Sequence, residues 1–490
     1  MRRRLVISGP LIVLVILGVL TPGAGAAGPR AAHVTATTWR PPVATGDGRW
    51  VRRPVLPRTC RRLDAAQATT TGAFDPATEA APPDTARIQA ALDACAGTGG
   101  AVELAPRGDD NAFLSAPLRI GSRETLSVED GVTLYASRNA SDYQILGAET
   151  CGTVGVDGTG CMPFIAIDGS HSGVMGTRGR DGHLGAIDGR GEMTMLGSTS
   201  TWWDVAEAAK SGGNQNNPKL VQGDGANDVT ISQVELRNSP MYHILMTGGD
   251  GLTVWGIRVN TPAAGARNTD GIDPVSERNV TIAHDMVQDG DDCIAVKSDA
   301  GQPAQDVTVV DTHCYGTHGI SIGSQTAGGV SNVLVRDDTI DGSDSLGNVS
   351  TSDNGIRIKS DALVGGITKR VTYQDICMTG VKYPLYFNPF YTAGGSSIPT
   401  FRDVLLDGIV AVNGVKGAQS LFDGFDAAHP LMLDMAHVRL DVTAQSAQDA
   451  QIGLEDANVI PAGPDVTVAP IRVRGRVPTC TFPAFGYPSS

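Results

Sequence analysis

A short phrase recurs through the chain: Asp228-Val229-Thr230, Gly251-Leu252-Thr253, Asn279-Val280-Thr281, Asp306-Val307-Thr308, Asn332-Val333-Leu334, Arg370-Val371-Thr372 and Asp403-Val404-Leu405. From position 229 the steps are 23, 28, 27 and 26 residues, then 38 and 33 where loops are inserted. Short β-branched alternating runs are separated by Gly, Asn and Asp, with almost no long helical pattern. This constrains the chain to a solenoid of β-coils. The expected fold is all-β, a right-handed parallel β-helix in which each coil lies about 4.8 Å above the last. Positions one repeat apart then become neighbours in space.

That stacking converts sequence spacing into geometry. Under a hundred residues hold Asp270, the pair Asp291 and Asp292, His318, and then Arg357 with Lys359. Asp270 and Asp291 are 21 residues apart and Asp291 and His318 are 27 apart, about one coil each. Arg357 and Lys359 stand two apart, so in a strand they share a face. Three carboxylates, a histidine and two cations along one groove can protonate an oxygen, activate a water and hold an anionic substrate. That is the chemistry of cutting an acidic polysaccharide. Any single Asp here is equally well read as a turn residue, the two cations as a solvated strand face, and a histidine beside glycine as structural. Turn filling does not account for the whole constellation.

The segments Asn268-Thr269-Asp270-Gly271, Gly290-Asp291-Asp292-Cys293, Thr317-His318-Gly319 and Arg357-Ile358-Lys359 resemble, in order and spacing, the signature set of the polygalacturonases, glycoside hydrolase family 28. Ile187-Asp188-Gly189-Arg190-Gly191, Trp202-Trp203-Asp204, Asn238-Ser239-Pro240 and Asn388-Pro389-Phe390-Tyr391 resemble bacterial members, and the likeness runs from about residue 84 to about residue 410. Thr317 departs from it, standing where the family usually has glycine. The resemblance implies inverting hydrolysis of α-1,4-galacturonosyl linkages in polygalacturonate or pectin. Asp291 would protonate the glycosidic oxygen, while Asp270 and Asp292 activate water across a gap of about 6.5–9.5 Å between carboxyl groups. His318 would orient the acid, Arg357 and Lys359 would bind a uronate carboxylate, Asn268 would also bind substrate, and Tyr391 would serve the subsite next to the cut. Neither a metal nor a cofactor is expected. The alternatives are a rhamnogalacturonan or xylogalacturonan hydrolase, a pectate-lyase-like enzyme, and a non-catalytic polysaccharide-binding solenoid.

Export is the expected destination. Arg2 to Arg4 precede an apolar run over Leu11 to Leu20, and Ala24-Gly25-Ala26 offers a cleavage site, so residues 1–26 are read as a signal peptide of a secreted protein. The apolar run is too short to span a bilayer. The formal net charge of −14 argues against nucleic acid and against bulk attraction to an anionic polymer, so binding must rest on a local cationic pocket. Eight cysteines suit four disulfides. Cys293 and Cys314 lie about one coil apart; Cys151 with Cys161, Cys60 with Cys95, and Cys377 with Cys480 complete the expected set. Residues 27–80 read as an irregular extension, and 81–490 as a single catalytic β-helix, a monomer. Its one helix is expected at Ala86 to Ala94, capped by Asp84 or Thr85, with Ile88, Leu92 and Cys95 on one face closing the open end of the stack. Trp202 and Trp203 fit sugar stacking or packing equally; His243 reads as structural.

Overall fold

The computed structural model describes residues 42–350 and 352–488, so the expected signal peptide lies outside the described residues. In the recurring phrase the middle residue points inward: Val280, Val307, Val333 and Val371 are fully buried and pair strand to strand in register. The residue before it turns the chain. Asp228, Asn279, Asp306, Asn332 and Asp403 all have φ between 51° and 60°, the left-handed region that Asp and Asn tolerate better than most residues. This is why the phrase opens with Asp, Asn or Gly; Arg370, at φ 53°, adopts the same turn without that advantage.

Repetition of this unit builds the expected right-handed parallel β-helix, with 42% of residues in strands and 7% in helices. One face is an 11-stranded parallel sheet that includes Ile244–Thr247, Ile272–Val275, Ile294–Ser298, Ile320–Thr326, Asn354–Lys359 and Tyr383–Asn388. Ile244, Ile272, Ile294, Ile320 and Ile356 occupy one register row and are buried. Side chains at odd offsets from that row therefore point out of the core, and these form the groove floor.

The helix Thr85–Cys95 covers the first coils with Ile88, Ala91, Leu92 and Cys95, as anticipated. Asp84 precedes it but does not cap it: its carboxylate accepts from Leu114 N (2.7 Å) and Arg87 Nε (2.6 Å). Two helices escaped the sequence reading. Asp75 caps Pro76–Ala80, and Thr201 with Asp204 forms a capping box at the start of Trp202–Ala208. The described part of the stretch expected to be irregular also contains the strand Thr59–Asp64, parallel to Gly100–Ala105. Its Thr59, Arg61, Arg62 and Asp64 are exposed, so it carries no apolar alternation to reveal it.

Two terminal segments run lengthwise over the coils. Ala44 N donates to Thr372 Oγ1 (2.9 Å), Thr45 N to Asn332 Oδ1 (2.8 Å) and Asp47 N to Thr308 Oγ1 (2.9 Å). Thr281 Oγ1 then donates to Asp47 (2.7 Å), and Arg49 to the carbonyls of Gly251 and Leu252 (2.7 and 2.8 Å). This arm lies on the outward threonines of the recurring phrase. The carboxyl-terminal tail runs back along another edge, through the Cys377–Cys480 disulfide, a bond from Tyr315 OH to Pro483 O (2.9 Å), one from Arg258 Nε to Gly486 O (2.9 Å), and Tyr487 stacked on His183.

All four expected disulfides are present: Cys60–Cys95, Cys151–Cys161, Cys293–Cys314 and Cys377–Cys480. Cys293 follows Asp292 directly and Cys314 pairs with Val287 one coil earlier, so this bridge braces the coil that carries the acid pair. Cys314→Ser is expected to lower stability by about 2–4 kcal/mol. Chemical denaturation of wild type and variant checks this; an unchanged midpoint would refute it.

Candidate active site

Three turns are stacked by backbone hydrogen bonds. Gly271 N donates to Asp292 O (2.9 Å), Cys293 N to Gly319 O (3.1 Å) and His318 N to Asp291 O (2.6 Å). Because Ile272, Ile294 and Ile320 share a register, Asp270, Asp292 and His318, each two residues earlier, fall on successive coils. His243 props the first turn from within. It is fully buried, with Nε2 against Thr261 Oγ1 (2.8 Å) and Nδ1 against the carbonyls of Thr269 and Asp270 (3.1 Å each). Burial pushes its pKa down to about 4, so it stays neutral and structural, as expected. Thr317 tightens the third turn, its Oγ1 accepting from Gly319 N (3.1 Å).

All eight residues expected from the sequence line one groove of about 400 Å³. Asp291 is partly open to it; its Oδ1 lies 2.8 Å from His318 Nδ1, and its Oδ2 accepts from Asn268 Nδ2 (3.2 Å). Asp292, 1% exposed, accepts from Ser321 Oγ (2.8 Å), Arg357 Nη1 (3.2 Å) and Lys359 Nζ (2.7 Å). The ring of Tyr391 lies 5.5 Å from the Arg357 guanidinium and 5.0 Å from the Lys359 ammonium, a cation–π arrangement. Arg357 and Lys359 are thus tied to Asp292, and an incoming carboxylate must share them with it. The donor atoms of Asp291, Asp292 and His318 lie within 4.8 Å of one another, near enough to surround a cation. Both oxygens of Asp292 already face positive side chains, so the chain supplies that charge itself.

The carboxyls are driven apart electrostatically. Burial opposes ionisation of Asp291, but His318, then Lys359 and Arg357, outweigh it and hold the carboxyl well below its usual range. At Asp292 burial is likewise overcome by Lys359 and Arg357. Asp270 goes the other way: burial and then Asp273 push it well above the usual range, against the pull of Lys297. The neighbouring Asp273 is raised by burial to about 6, again opposed by Lys297.

Lys297 and Asp273 were not singled out from the sequence. Their one signal is a charge at an outward strand position, Lys297 after the apolar run Ile294-Ala295-Val296. The tryptophan pair resolves toward packing: Trp202 is fully buried with its ring edge-on to Tyr143, and the half-buried Trp203 donates Nε1 to Ser239 O (2.9 Å).

The sequence profile described as Glycosyl hydrolases family 28 matches residues 127–446. A polygalacturonase of Ralstonia solanacearum is 36% identical over 471 residues, spanning 86% of this chain and 85% of its own. An endo-polygalacturonase of Pectobacterium carotovorum subsp. carotovorum is 35% identical over 398 residues, 80% of this chain and 90% of its own. Among solved structures, the polygalacturonase from Erwinia carotovora ssp. carotovora superposes with a TM-score of 0.72 at 31% identity, covering 84% of this chain and 100% of that one. The profile spans the solenoid from before the first recurring phrase to beyond the last, and the relatives extend over most of both chains: this chain belongs to glycosyl hydrolases family 28.

Proposed function

We propose that this family 28 hydrolase cuts α-1,4-galacturonosyl linkages within polygalacturonate chains, with inversion, outside the cell. The chain is a glycoside hydrolase that acts on polygalacturonate. The observation that carries the finer reading is one groove lined by three carboxyls in different electrostatic settings: Asp291 paired with His318, Asp292 paired with Arg357 and Lys359, and Asp270, whose proton affinity is raised although Lys297 lies beside it. Four disulfides suit an oxidising compartment. Relatives described as endo-polygalacturonases support internal cutting.

A uronate carboxylate docks on Arg357 and Lys359 and draws them from Asp292. With less cationic support, Asp291 and Asp292 gain proton affinity, and Asp291 takes up the proton it delivers to the glycosidic oxygen. The bond from that oxygen to the anomeric carbon breaks as water attacks the opposite face. Asp270, with Asp292, accepts the water's proton, and a carboxyl of high proton affinity makes the stronger base. His318 holds Asp291 in place throughout.

The test is polygalacturonate digestion followed by proton NMR and chromatographic sizing. Inversion of an α linkage gives β-anomeric reducing ends first, and internal cutting gives mixed oligomers early. First-formed α-anomers, release of monomer alone, or ultraviolet-absorbing unsaturated ends would each overturn the corresponding part of the reading.

A further inference from the structure

We propose that Lys297, which lies outside the residue set carried by the family resemblance, is a positioning residue that, together with Asp273, anchors and charges Asp270. The proposal rests on the reading of Asp270 as acceptor of the water's proton. Lys297 stands on the strand Ile294–Ser298, paired with Val275 one coil before, and so faces outward over Asp273. Its Nζ lies 2.5 Å from Asp273 Oδ2 and 3.2 Å from Asp270 Oδ2, with the ring of Tyr242 4.7 Å away. Asp273 is fully buried and Asp270 is 3% exposed. Among the described residues, no other side chain donates a hydrogen bond to either carboxylate; Oδ1 of each has no partner. The other charged groups that face this trio are Asp289, Asp291 and Asp292 from the next coil, and Lys359.

Most of that surrounding charge is negative. Two buried carboxylates side by side cannot both ionise without a cation between them. Lys297 is that cation, and Asp273, the nearer partner, competes with Asp270 for it. Removing the cation and removing the competitor must therefore act on Asp270 in opposite directions. A purely structural pair would not behave so, since loss of either member would only damage packing.

The experiment measures kcat against pH at saturating polygalacturonate, which reports the groups of the substrate complex, for wild type, Lys297→Met, Lys297→Arg and Asp273→Asn, with circular dichroism and thermal melting on each. Lys297→Met leaves Asp270 harder to ionise, so the acid limb is expected to move up by about one pH unit or more. Lys297→Arg should return most of that displacement, because the positive charge is kept. Asp273→Asn gives the whole ammonium to Asp270, so the acid limb should move down. Limbs that stay put, or move the same way in Lys297→Met and Asp273→Asn, overturn the role of Lys297. Displacement of the alkaline limb in the same two directions would keep that role but make Asp270 the acid, and the proton-acceptor reading would fall instead. Should Lys297→Met not fold, Asp273→Asn and Lys297→Arg still decide the matter.

Discussion

Asp291→Asn is expected to lower kcat by about 10²- to 10⁴-fold without disturbing the fold. Asparagine keeps the volume of the side chain and can still meet His318, Asn268 and the Asp292 N–H, all partners of the Asp291 carboxylate, but it has no proton to give the departing oxygen. A matched melting temperature separates loss of chemistry from loss of structure. Replacing Asp292 also lowers the rate, so a second measurement assigns the role. On an aryl galacturonide whose leaving group departs without protonation, Asp291→Asn should recover much of its deficit and Asp292→Asn should not. Equal deficits for Asp291→Asn on natural and activated substrates would remove Asp291 from the position of acid.

Lys359→Ala is expected to cost about 10²- to 10³-fold in kcat/KM on polygalacturonate, through two separable effects. Its ammonium, buried 2.7 Å from Asp292, is one partner of a desolvated ion pair, and truncating such a partner costs about 2–5 kcal/mol. That part acts through Asp292 and persists on any substrate. The other part is recognition of the uronate carboxylate, and it disappears when the substrate is a methyl ester with no charge to pair. The proportional loss should therefore be smaller on highly esterified pectin than on de-esterified chains of equal length. Equal losses on both would mean that Lys359 serves Asp292 alone and does not read the substrate.

Much of this architecture was legible because stacking is a local rule repeated. Val280, Val307 and Val333 announce the coil, and once it is assumed, the positions of Asp270, Asp292 and His318 on neighbouring turns follow. Disulfides joining adjacent coils, such as Cys293–Cys314, fall to the same logic. Contacts that cross several coils do not. Nothing in the sequence near Thr45 and Asp47 points to Asn332 and Thr308, more than 250 residues away, because those bonds depend on the route of a non-repetitive arm. Lys297 was missed for a related reason: its partners are set by the outward face of a strand pair, whereas its own surroundings in sequence read as core.

The lengthwise arm and tail change what kind of object this solenoid is. A stack in which each coil touches only its neighbours loses stability piecewise and unzips from an end, each rung opening at its own small free energy. The arm pins coils at Thr372, Asn332, Thr308, Thr281 and Gly251 at once, and the tail joins Cys377 to Tyr315 and Arg258. No rung beneath them can open without releasing bonds that hold several others. The chain is thereby turned from a one-dimensional ladder into a cooperative unit, whose middle coils, the ones bearing the groove, are shielded from the fraying that would expose them to proteases.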